Sequence, residues 1–379
     1  MIGTRDRSET RLTQKIWQIN WALVLLITIV ASIGFAMLYS AANGNLSPWA
    51  SRQMIVFAAG FVVMFVIALI DIRFWMRYAY IFYALTLALL AGVEVIGVER
   101  GGAKRWIDIG LFQLQPSEFM KIAMILALAR YFHRLNIEDI GRPLFLVMPL
   151  LLVAAPVVLI QRQPDLGTGL FLVISGGALF FLAGVRIWKF VVILTSAVIA
   201  VPIIWSLLRE YQQGRILTFL SPDRDPLGAG YHILQSKIAL GSGGVFGRGF
   251  MQGTQSHLSF LPERQTDFIF TMLAEEFGLA GGLGLLGLYA LLILYGFSIA
   301  LRSQTQFGRL LASGVTVTFF LYAFINIAMV MGLVPVVGLP LPLISFGGTA
   351  MISVLAGFGL LISVSIHRDV RIGRHGDGS

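Results

Sequence analysis

Long apolar runs separated by short polar stretches make up most of this chain. A helix needs about 17–25 mostly apolar residues to cross a bilayer. Ten runs are long enough to do so, and the pattern therefore predicts an all-α, polytopic membrane protein with about ten transmembrane helices. The runs cover residues 21–41, 53–70, 79–96, 117–133, 143–160, 168–185, 190–208, 268–300, 310–332 and 349–366.

The longest polar interruption covers residues 209–267, between the seventh and eighth runs. Turn-forming residues stand at 221–228 and glycines at 241–244. Between them, the apolar spacing over 231–240 predicts a short helix lying in the membrane interface. A second loop, 97–116, is also long enough to form structure. No internal repeat is evident, which weakens the case for a transporter built from inverted halves.

The sequence divides into three parts. Residues 1–20 form a basic leader, residues 21–366 form one transmembrane domain that includes the 209–267 loop, and residues 367–379 form a tail.

Composition supports a membrane protein. The 379 residues are 57% hydrophobic and only 12% charged, whereas a soluble domain has about 25% charged residues. Without cysteine there are neither disulfides nor thiolate metal sites. The net charge of +9 is spread over the ends of the apolar runs, so nucleic acid is not an expected partner.

The distribution of cations predicts the orientation. With the N-terminus inside, sixteen lysines and arginines fall on the inner side and five in the short outer loops. The positive-inside rule, with the 209–267 loop left out, therefore places both termini in the cytoplasm. The chain is expected in the cytoplasmic (inner) membrane, with loop 209–267 on the extracytoplasmic face. The outer cations are Arg52, Arg100, Lys104, Arg105 and Arg162.

Asp267 is the strongest catalytic candidate. It ends the polar loop and directly precedes the apolar run that starts at Phe268. Partial desolvation at such a boundary would raise its pKa toward working pH, as a general base requires. The alternative is that Thr266 and Asp267 only cap the next helix, since aspartate is a preferred capping residue.

Two further polar groups lie at the same predicted face. Glu118 and Lys121 are three residues apart, on one face of the fourth span, and charges in lipid are expected to pair. Their role is either catalytic support or a structural clamp between helices. Asp165 lies in a Pro-Asp-Leu-Gly turn, for which ordinary turn chemistry is the competing explanation. Together with Asp267 it could hold a divalent cation against a diphosphate.

Cations and a helix start complete the set of candidate substrate-binding groups. Arg105, next to Trp106, could form a bidentate contact with phosphate oxygens or serve as an interfacial anchor. Lys237 and Arg264 add positive charge to the long loop. Ser345 opens the Ser-Phe-Gly-Gly stretch before the last span, where free amides attract anions.

Six motifs in order resemble the SEDS family of shape, elongation, division and sporulation proteins. The long loop is more similar to the elongation branch of the family than to its division branch. The resemblance covers essentially the whole chain beyond the basic leader. The motifs are QPSEFMK (115–121), QPDLGT (163–168), SPDRDPLGAGYHILQSKIALGSGG (221–244), GTQSHLSFLPERQTDFIF (253–270), AEEFG (274–278) and PLPLISFGGTA (340–350).

The resemblance implies ten transmembrane helices and a peptidoglycan glycosyltransferase. Such an enzyme polymerises lipid II during cell elongation and the maintenance of rod shape, beside a class B penicillin-binding protein. It also implies that Asp267 is the essential aspartate, that Glu118 and Lys121 form a buried ion pair, that Asp165 is the turn aspartate and that Arg105 is the outer-loop arginine.

The expected reaction is single displacement with inversion, with Asp267 as the general base and a cation neutralising the departing diphosphate. No cofactor is certain, and Mg²⁺ or Mn²⁺ held by Asp267 and Asp165 is left open. Two alternatives compete with this expectation: a lipid II flippase, and a noncatalytic scaffold that activates the penicillin-binding protein.

Overall fold

The computed structural model describes residues 12–100, 103–108, 110, 113–136, 138–221, 225, 228–254, 263–370 and 373. Residues 1–11 of the leader, 222–224, 226–227 and 255–262 of the long loop, and most of the tail beyond Val370 lie outside the described residues. Helices dominate the described part: α1 (Leu12–Trp17), α2 (Trp21–Ala41), α3 (Ala50–Leu69), α4 (Ile72–Ile96), α5 (Pro116–Arg134), α6 (Pro143–Arg162), α7 (Leu166–Ala183), α8 (Ile187–Ile199), α9 (Val201–Leu207), α10 (Glu210–Leu220), α11 (Ala229–Ser242), α12 (Ile269–Arg302), α13 (Gln306–Val330) and α14 (Gly348–Ile366).

Each of the ten predicted spans coincides with helical structure. Eight helices in the described residues are long and apolar enough to cross a membrane, namely α2, α3, α4, α6, α7, α12, α13 and α14. The other two positions differ for physical reasons. Helix α5 carries buried Glu118 and Lys121, which lower its hydropathy. The seventh position is divided at Ala200 into α8 and α9, with Pro202 in the first turn of α9.

The core of the bundle is formed by α5, α13 and α14, whose residues are mostly buried. Helix α5 packs against α4, α7 and α13, and α14 packs against α3. Helix α8, in contrast, has no buried residue. Among the polar side chains that the sequence singled out, Glu118 and Lys121 stand on one of these core helices.

A small antiparallel sheet adds to the all-α prediction. Strands β1 (Val98–Arg100), β2 (Ala103–Asp108) and β3 (Gln113–Leu114) pair in the order β1-β2-β3. The sheet folds the 97–116 loop against the end of the bundle, where Thr349 Oγ1 at the start of α14 donates to the Gln113 carbonyl over 2.9 Å. Its central strand carries Arg105.

The eighth predicted span is two helices in sequence. Helix α12 bends at Gly278, whose φ of 67° lies in the left-handed region that favours glycine. A short helical segment, 269–277, follows Asp267, and the spanning segment runs from 279 to 302. The predicted interfacial helix at 231–240 lies within α11, which packs on α12.

Candidate active site

Asp267 lies in the turn just before α12. The residue at the helix N-cap is Phe268, and no side chain caps the helix. The capping interpretation of Asp267 is therefore wrong. Its side chain is partly buried, and among the described residues no hydrogen bond to its carboxylate is found. Desolvation by burial raises its pKa to about 6, the negative charge of Glu263 raises it further, and Arg215 opposes both.

The backbone around Asp267 is held on three sides. Ser345 Oγ donates to the Thr266 carbonyl over 2.6 Å. The Phe346 amide donates to the Gln265 carbonyl over 2.9 Å. Asn326 Nδ2, from α13, donates to the Asp267 carbonyl over 2.9 Å. The main chain of the turn is fixed while the carboxylate is left for another partner, as a general base requires.

The connection between α13 and α14 (residues 331–347) forms the frame of this site. A Cβ placed on Gly338 would lie 3.5 Å from Asp267 Oδ2, so this glycine leaves the space directly beside the carboxylate. The same Asn326 nitrogen donates to the Leu339 carbonyl over 2.8 Å. Leu343 has a left-handed φ of 67°, a strained conformation of the kind that is concentrated at functional sites.

Two more helices hold the same connection. Tyr289 of α12 donates to the Pro342 carbonyl over 2.7 Å. Gln53 of α3 donates to the Ser345 carbonyl over 3.0 Å and accepts from the Gly347 amide at 3.2 Å. Because its backbone groups are bonded by rigid helices, the connection keeps a fixed position relative to Asp267.

Ser345 thus has a different function from the predicted one. Its hydroxyl accepts from the Leu341 amide at 2.8 Å and donates to Thr266. Helix α14 begins at Gly348 with Gly347 as its N-cap. Ser345 therefore joins the connection to the turn that carries Asp267 rather than pointing free amides at an anion.

Glu118 and Lys121 form a buried ion pair, with Lys121 Nζ 2.6 Å from Glu118 Oε1. Tyr322 of α13 closes the group, because its hydroxyl donates to Glu118 Oε2 and accepts from Lys121. The ammonium also lies 4.9 Å from the centre of the Phe171 ring. The group joins α5, α7 and α13 with its polar atoms paired, as burial in a membrane demands.

The ion pair reaches Asp267 only through other residues. Tyr322 and Ser345 line one crevice together with residues 340–343 of the connection, and Asp267 does not line it. Tyr322 also packs in a cluster with Leu339, whose carbonyl shares Asn326 with that of Asp267. The geometry supports the structural clamp for Glu118 and Lys121.

Arg105 and Asp165 meet at the turn before α7. Arg105 Nε donates to the Gln163 carbonyl over 3.2 Å, and its Nη1 lies 3.6 Å from Asp165 Oδ2. Asp165 caps α7 by accepting from the Thr168 amide at 3.1 Å and the Thr168 hydroxyl at 2.9 Å. Turn and cap chemistry therefore accounts for Asp165, while the guanidinium of Arg105 remains partly exposed at the rim.

The Asp165 turn lies against the frame of the site. A Cβ on Gly167 would come within 2.3 Å of Val337 Cγ1, so the turn after Asp165 touches the connection one residue before Gly338. Asp165, Arg105 and Asp267 therefore gather around residues 337–338 at one end of the bundle.

Lys237 and Arg264 occupy the same end. The Lys237 side chain lies over Gly332 at the end of α13, where a Cβ would meet its Cε at 2.4 Å. Arg264 is half-buried, three residues before Asp267, and burial lowers its pKa. Arg215, which the sequence did not single out, acts on Asp267 electrostatically and donates to the Val336 carbonyl over 3.5 Å.

The residues present do not fit the predicted cation site. The Asp165 carboxylate already bonds Thr168 and faces Arg105. In the described part of the chain, no three carboxylate or imidazole side chains gather as ligands. A divalent cation prefers about six oxygen ligands, and Asp267 and Asp165 supply too few of them.

Three residues of the site were missed in the sequence. Arg215 lies among several cations of the long loop and has no motif of its own. Tyr322 and Asn326 stand in the ninth apolar run, where a buried asparagine is a detectable signal because polar side chains in spans are rare and functional. Its bond to Asp267 crosses 59 residues of sequence, so the partner could not be read from spacing.

The bundle of apolar helices with its polar site at one end defines a multi-pass membrane protein with a site beside the bilayer surface. The family model described as "Cell cycle protein", which takes in FtsW, RodA and SpoVE, matches residues 14–370. The chain therefore belongs to the SEDS family, as its motifs predicted.

Relatives and solved structures agree with this assignment. The chain is 46% identical to the peptidoglycan glycosyltransferase MrdB of Escherichia coli K12, over 91% of this chain and 93% of the relative. It is 33% identical to the peptidoglycan glycosyltransferase RodA of Treponema pallidum, over 91% and 97%.

Two solved structures show the same fold. One, from a study of how a peptidoglycan synthase complex coordinates polymerisation and crosslinking, matches with a TM-score of 0.80 and 34% identity, over 92% of this chain and 98% of that one. The other is RodA of Thermus thermophilus, with a TM-score of 0.70 and 30% identity, over 92% and 97%.

Proposed function

We propose that this chain is a peptidoglycan glycosyltransferase that polymerises lipid II, with Asp267 as its general base. The observation that carries the proposal is the Asp267 carboxylate, which stands at one end of the bundle with a pKa raised to about 6 and a main chain bonded to α13 and to the 331–347 connection. The curated relatives that match 91% of the chain carry this activity in their names.

The reaction transfers one sugar unit between two lipid-linked substrates. Asp267 takes the proton of the acceptor hydroxyl while that oxygen attacks the anomeric carbon of the donor. The bond from that carbon to the diphosphate breaks, and the diphosphate keeps the electron pair. A single displacement inverts the configuration at the anomeric carbon.

Cations at the rim neutralise the leaving group. Arg105 is partly exposed beside the Asp165 turn, and Lys237 lies over the end of α13. Fixed guanidinium and ammonium groups stabilise developing negative charge without reorganising. Arg264 is held within three residues of the base and adds to the same positive rim. The sequence predicted Mg²⁺ or Mn²⁺ at Asp267 and Asp165, a site that these residues do not fit. Polymerisation rates with the ions added and with the ions chelated test whether the reaction needs one.

The orientation follows from the distribution of charge. Both termini are assigned to the cytoplasm and the Asp267 end of the bundle to the extracytoplasmic face, because the short loops at the opposite end carry most of the cations. The enzyme then works on lipid II at the outer surface of the cytoplasmic membrane. The expected partner is a class B penicillin-binding protein that cross-links the product, since a structural relative comes from a complex that couples polymerisation to crosslinking.

Polymerisation of lipid II by the purified protein tests the proposal. The wild-type chain, alone and with its penicillin-binding partner, should form glycan strands, and Asp267→Asn should fold normally and form none. A general base contributes about 10²–10⁴-fold to the rate, and a loss of that size leaves no glycan detectable in the course of the assay. Undiminished polymer from Asp267→Asn in the complex would favour the scaffold, and lipid II translocation in liposomes without polymer would favour the flippase.

A further inference from the structure

The backbone of residues 243–249, here called the clasp, closes over the bend in α12. The amides of Arg248 and Gly249 donate to the carbonyls of Glu275 and Glu276 over 3.1 and 3.0 Å. In the other direction, the amides of Leu279 and Ala280 donate to the carbonyls of Gly244 and Val245 over 2.9 and 3.0 Å. The clasp thus satisfies the backbone groups that the bend at Gly278 releases.

The clasp lies at the depth where the spanning segment of α12 begins. At 1.5 Å per residue, residues 279–302 extend about 36 Å, slightly more than the hydrocarbon core of about 30 Å. The amides that the clasp bonds belong to the first two residues of that segment. A second contact places the clasp at the same depth. Ser40, one residue before the end of the spanning helix α2, donates to Glu276 Oε1 over 2.5 Å, so the bend in α12 lies level with the end of α2.

The outward side of the clasp is apolar. Phe246 is 83% exposed and Val245 is 58% exposed. The Phe250 and Phe277 rings contact each other in a tilted arrangement with their centres 6.0 Å apart, and both are also exposed. Leu279, which is 58% exposed, continues this surface onto the spanning segment. The apolar patch is therefore continuous with the lipid-facing side of α12.

The one charge on the clasp sits where a bilayer surface would accept it. Arg248 Nη1 donates to Thr254 Oγ1 over 2.6 Å, and Arg248 Nε donates to the Ser242 carbonyl over 3.4 Å. A guanidinium beside exposed aromatic rings is typical of the layer between headgroups and acyl chains.

We infer that the clasp is a membrane-insertion element: Phe246 and Val245 enter the acyl layer of the leaflet on the Asp267 side, with Phe250 and Phe277 at its edge. The occupant of the patch is lipid, because the patch lies level with the start of a span and runs into its lipid-facing side. The clasp precedes Asp267 in the chain, but it bonds α12 at residues 275–280, beyond Asp267. The short 269–277 segment is therefore held between the turn that bears Asp267 and the membrane.

Depth-dependent quenching tests the inference without relying on catalysis. The chain has no cysteine, so Phe246→Cys places a single environment-sensitive fluorophore on the clasp. Leu283→Cys, on a 57% exposed side chain further along the spanning segment, gives the lipid reference. Lys104→Cys, on an exposed position of β2, gives the aqueous reference. The labelled proteins are placed in vesicles that contain phospholipids with nitroxides on their acyl chains.

The label at 246 should be quenched to an extent comparable with that at 283 and several times more than that at 104. Nitroxides near the headgroup should quench position 246 more strongly than nitroxides near the chain ends. Quenching at 246 no greater than at 104 overturns the inference and leaves a protein partner as the occupant of the patch.

Hydrogen exchange supplies a second readout. In vesicles, Phe246→Asp should speed the exchange of the Leu279 and Ala280 amides several-fold, because a charged side chain pulls the clasp out of the bilayer and weakens its bonds to these amides. Phe246→Leu, which stays apolar, should leave their exchange unchanged. Equal exchange in the two variants contradicts insertion, and this result is independent of whether Asp267 is the catalytic base.

Discussion

Asn326 and Asp267 are joined by a hydrogen bond of 2.9 Å from the asparagine amide to the aspartate carbonyl. The same nitrogen reaches the Leu339 carbonyl at 2.8 Å. A single buried amide in α13 therefore fixes both the turn that bears the carboxylate and the segment beside it. Asp267 is positioned by its main chain, which leaves its side chain available for substrate.

Replacing Asn326 by leucine should slow polymerisation while the bundle stays folded. The substitution leaves two carbonyls without their donor and lets the turn shift, and a displacement of about 1 Å can cost about 10²-fold in rate. The free energy of unfolding should fall by about 1–3 kcal/mol, which is the cost of leaving a buried polar group unpaired. Initial rates with lipid II and thermal unfolding in detergent measure the two effects.

Thr318→Val is the matched control for this experiment. Thr318 lies on the same helix, and among the residues that the structure describes its hydroxyl bonds only the Gly314 carbonyl of its own helix, over 2.9 Å. The Thr318→Val variant should polymerise lipid II at the wild-type rate. Wild-type activity in Asn326→Leu would show that the bond does not position the base.

The pH dependence of the reaction should report the ionisation of Asp267. The raised pKa of about 6 means that the carboxyl group holds its proton in acid and releases it as the pH rises through that value. Only the ionised form can accept a proton from the acceptor hydroxyl. The rate at low substrate concentration should therefore rise with pH, with its midpoint near 6, and reach a plateau above it.

Two charge variants should move this midpoint in opposite directions. Glu263 raises the pKa of Asp267 and Arg215 lowers it, because like charge disfavours and opposite charge favours the ionised form. Glu263→Gln should therefore lower the midpoint, and Arg215→Gln should raise it. A profile that moves in neither variant would mean that another group controls the rate.

The sequence predicted several residues of the candidate site, but it did not predict the contacts that position them. Asp267, Glu118 and Lys121 were identified because each is a charge at the edge of an apolar run, and their motifs assigned the family. The residues that position the site could not be predicted from the sequence, because their contacts are distant along the chain. The hydrogen bonds from Ser345 to Thr266 and from Gln53 to Ser345 cross 79 and 292 residues. Periodicity describes neighbours along one helix, whereas the frame of the site depends on which helices pack together.

The bend in α12 illustrates the same limit. The apolar run at 268–300 was predicted to be one span, because its only charged residues, Glu275 and Glu276, do not by themselves indicate a break at Gly278. The break exists because another segment, 243–249, supplies the missing hydrogen bonds from outside. Similarly, the cap role of Asp165 could be predicted from its own turn, but its pairing with Arg105 required the hairpin of β1 and β2.

Removing one partner of the Glu118–Lys121 pair should destabilise the protein strongly. Lys121→Met leaves the Glu118 carboxylate buried without its cation, a change that costs about 3–5 kcal/mol. Glu118→Gln combined with Lys121→Met removes both charges and should recover most of that loss. Thermal unfolding in detergent measures the set.

An exposed pair provides the comparison. Arg142 and Asp139 are 3.0 Å apart, but the Arg142 side chain is 67% exposed, so Arg142→Gln should cost less than about 1 kcal/mol. If the double variant regains stability and also polymerises lipid II, the pair is a clamp between helices. If it regains stability but stays inactive, the charges themselves take part in the reaction.

Alanine at Gly278 should both destabilise the protein and slow the reaction. Gly278 has a left-handed φ of 67°, and a Cβ there would lie 2.3 Å from the Gly247 nitrogen, inside the clasp. A residue other than glycine in this conformation costs about 1–3 kcal/mol, and the collision pushes the clasp away from α12. The 269–277 segment then loses its support, and with it the turn at Asp267.

Gly284→Ala is the control, since Gly284 lies in the same helix and a Cβ there meets nothing within 4 Å. Gly284→Ala should match or slightly exceed wild-type stability, because alanine favours the helix. Unfolding temperatures and lipid II polymerisation rates of the two variants give the test, and equal behaviour would show that the clasp does not hold the bend.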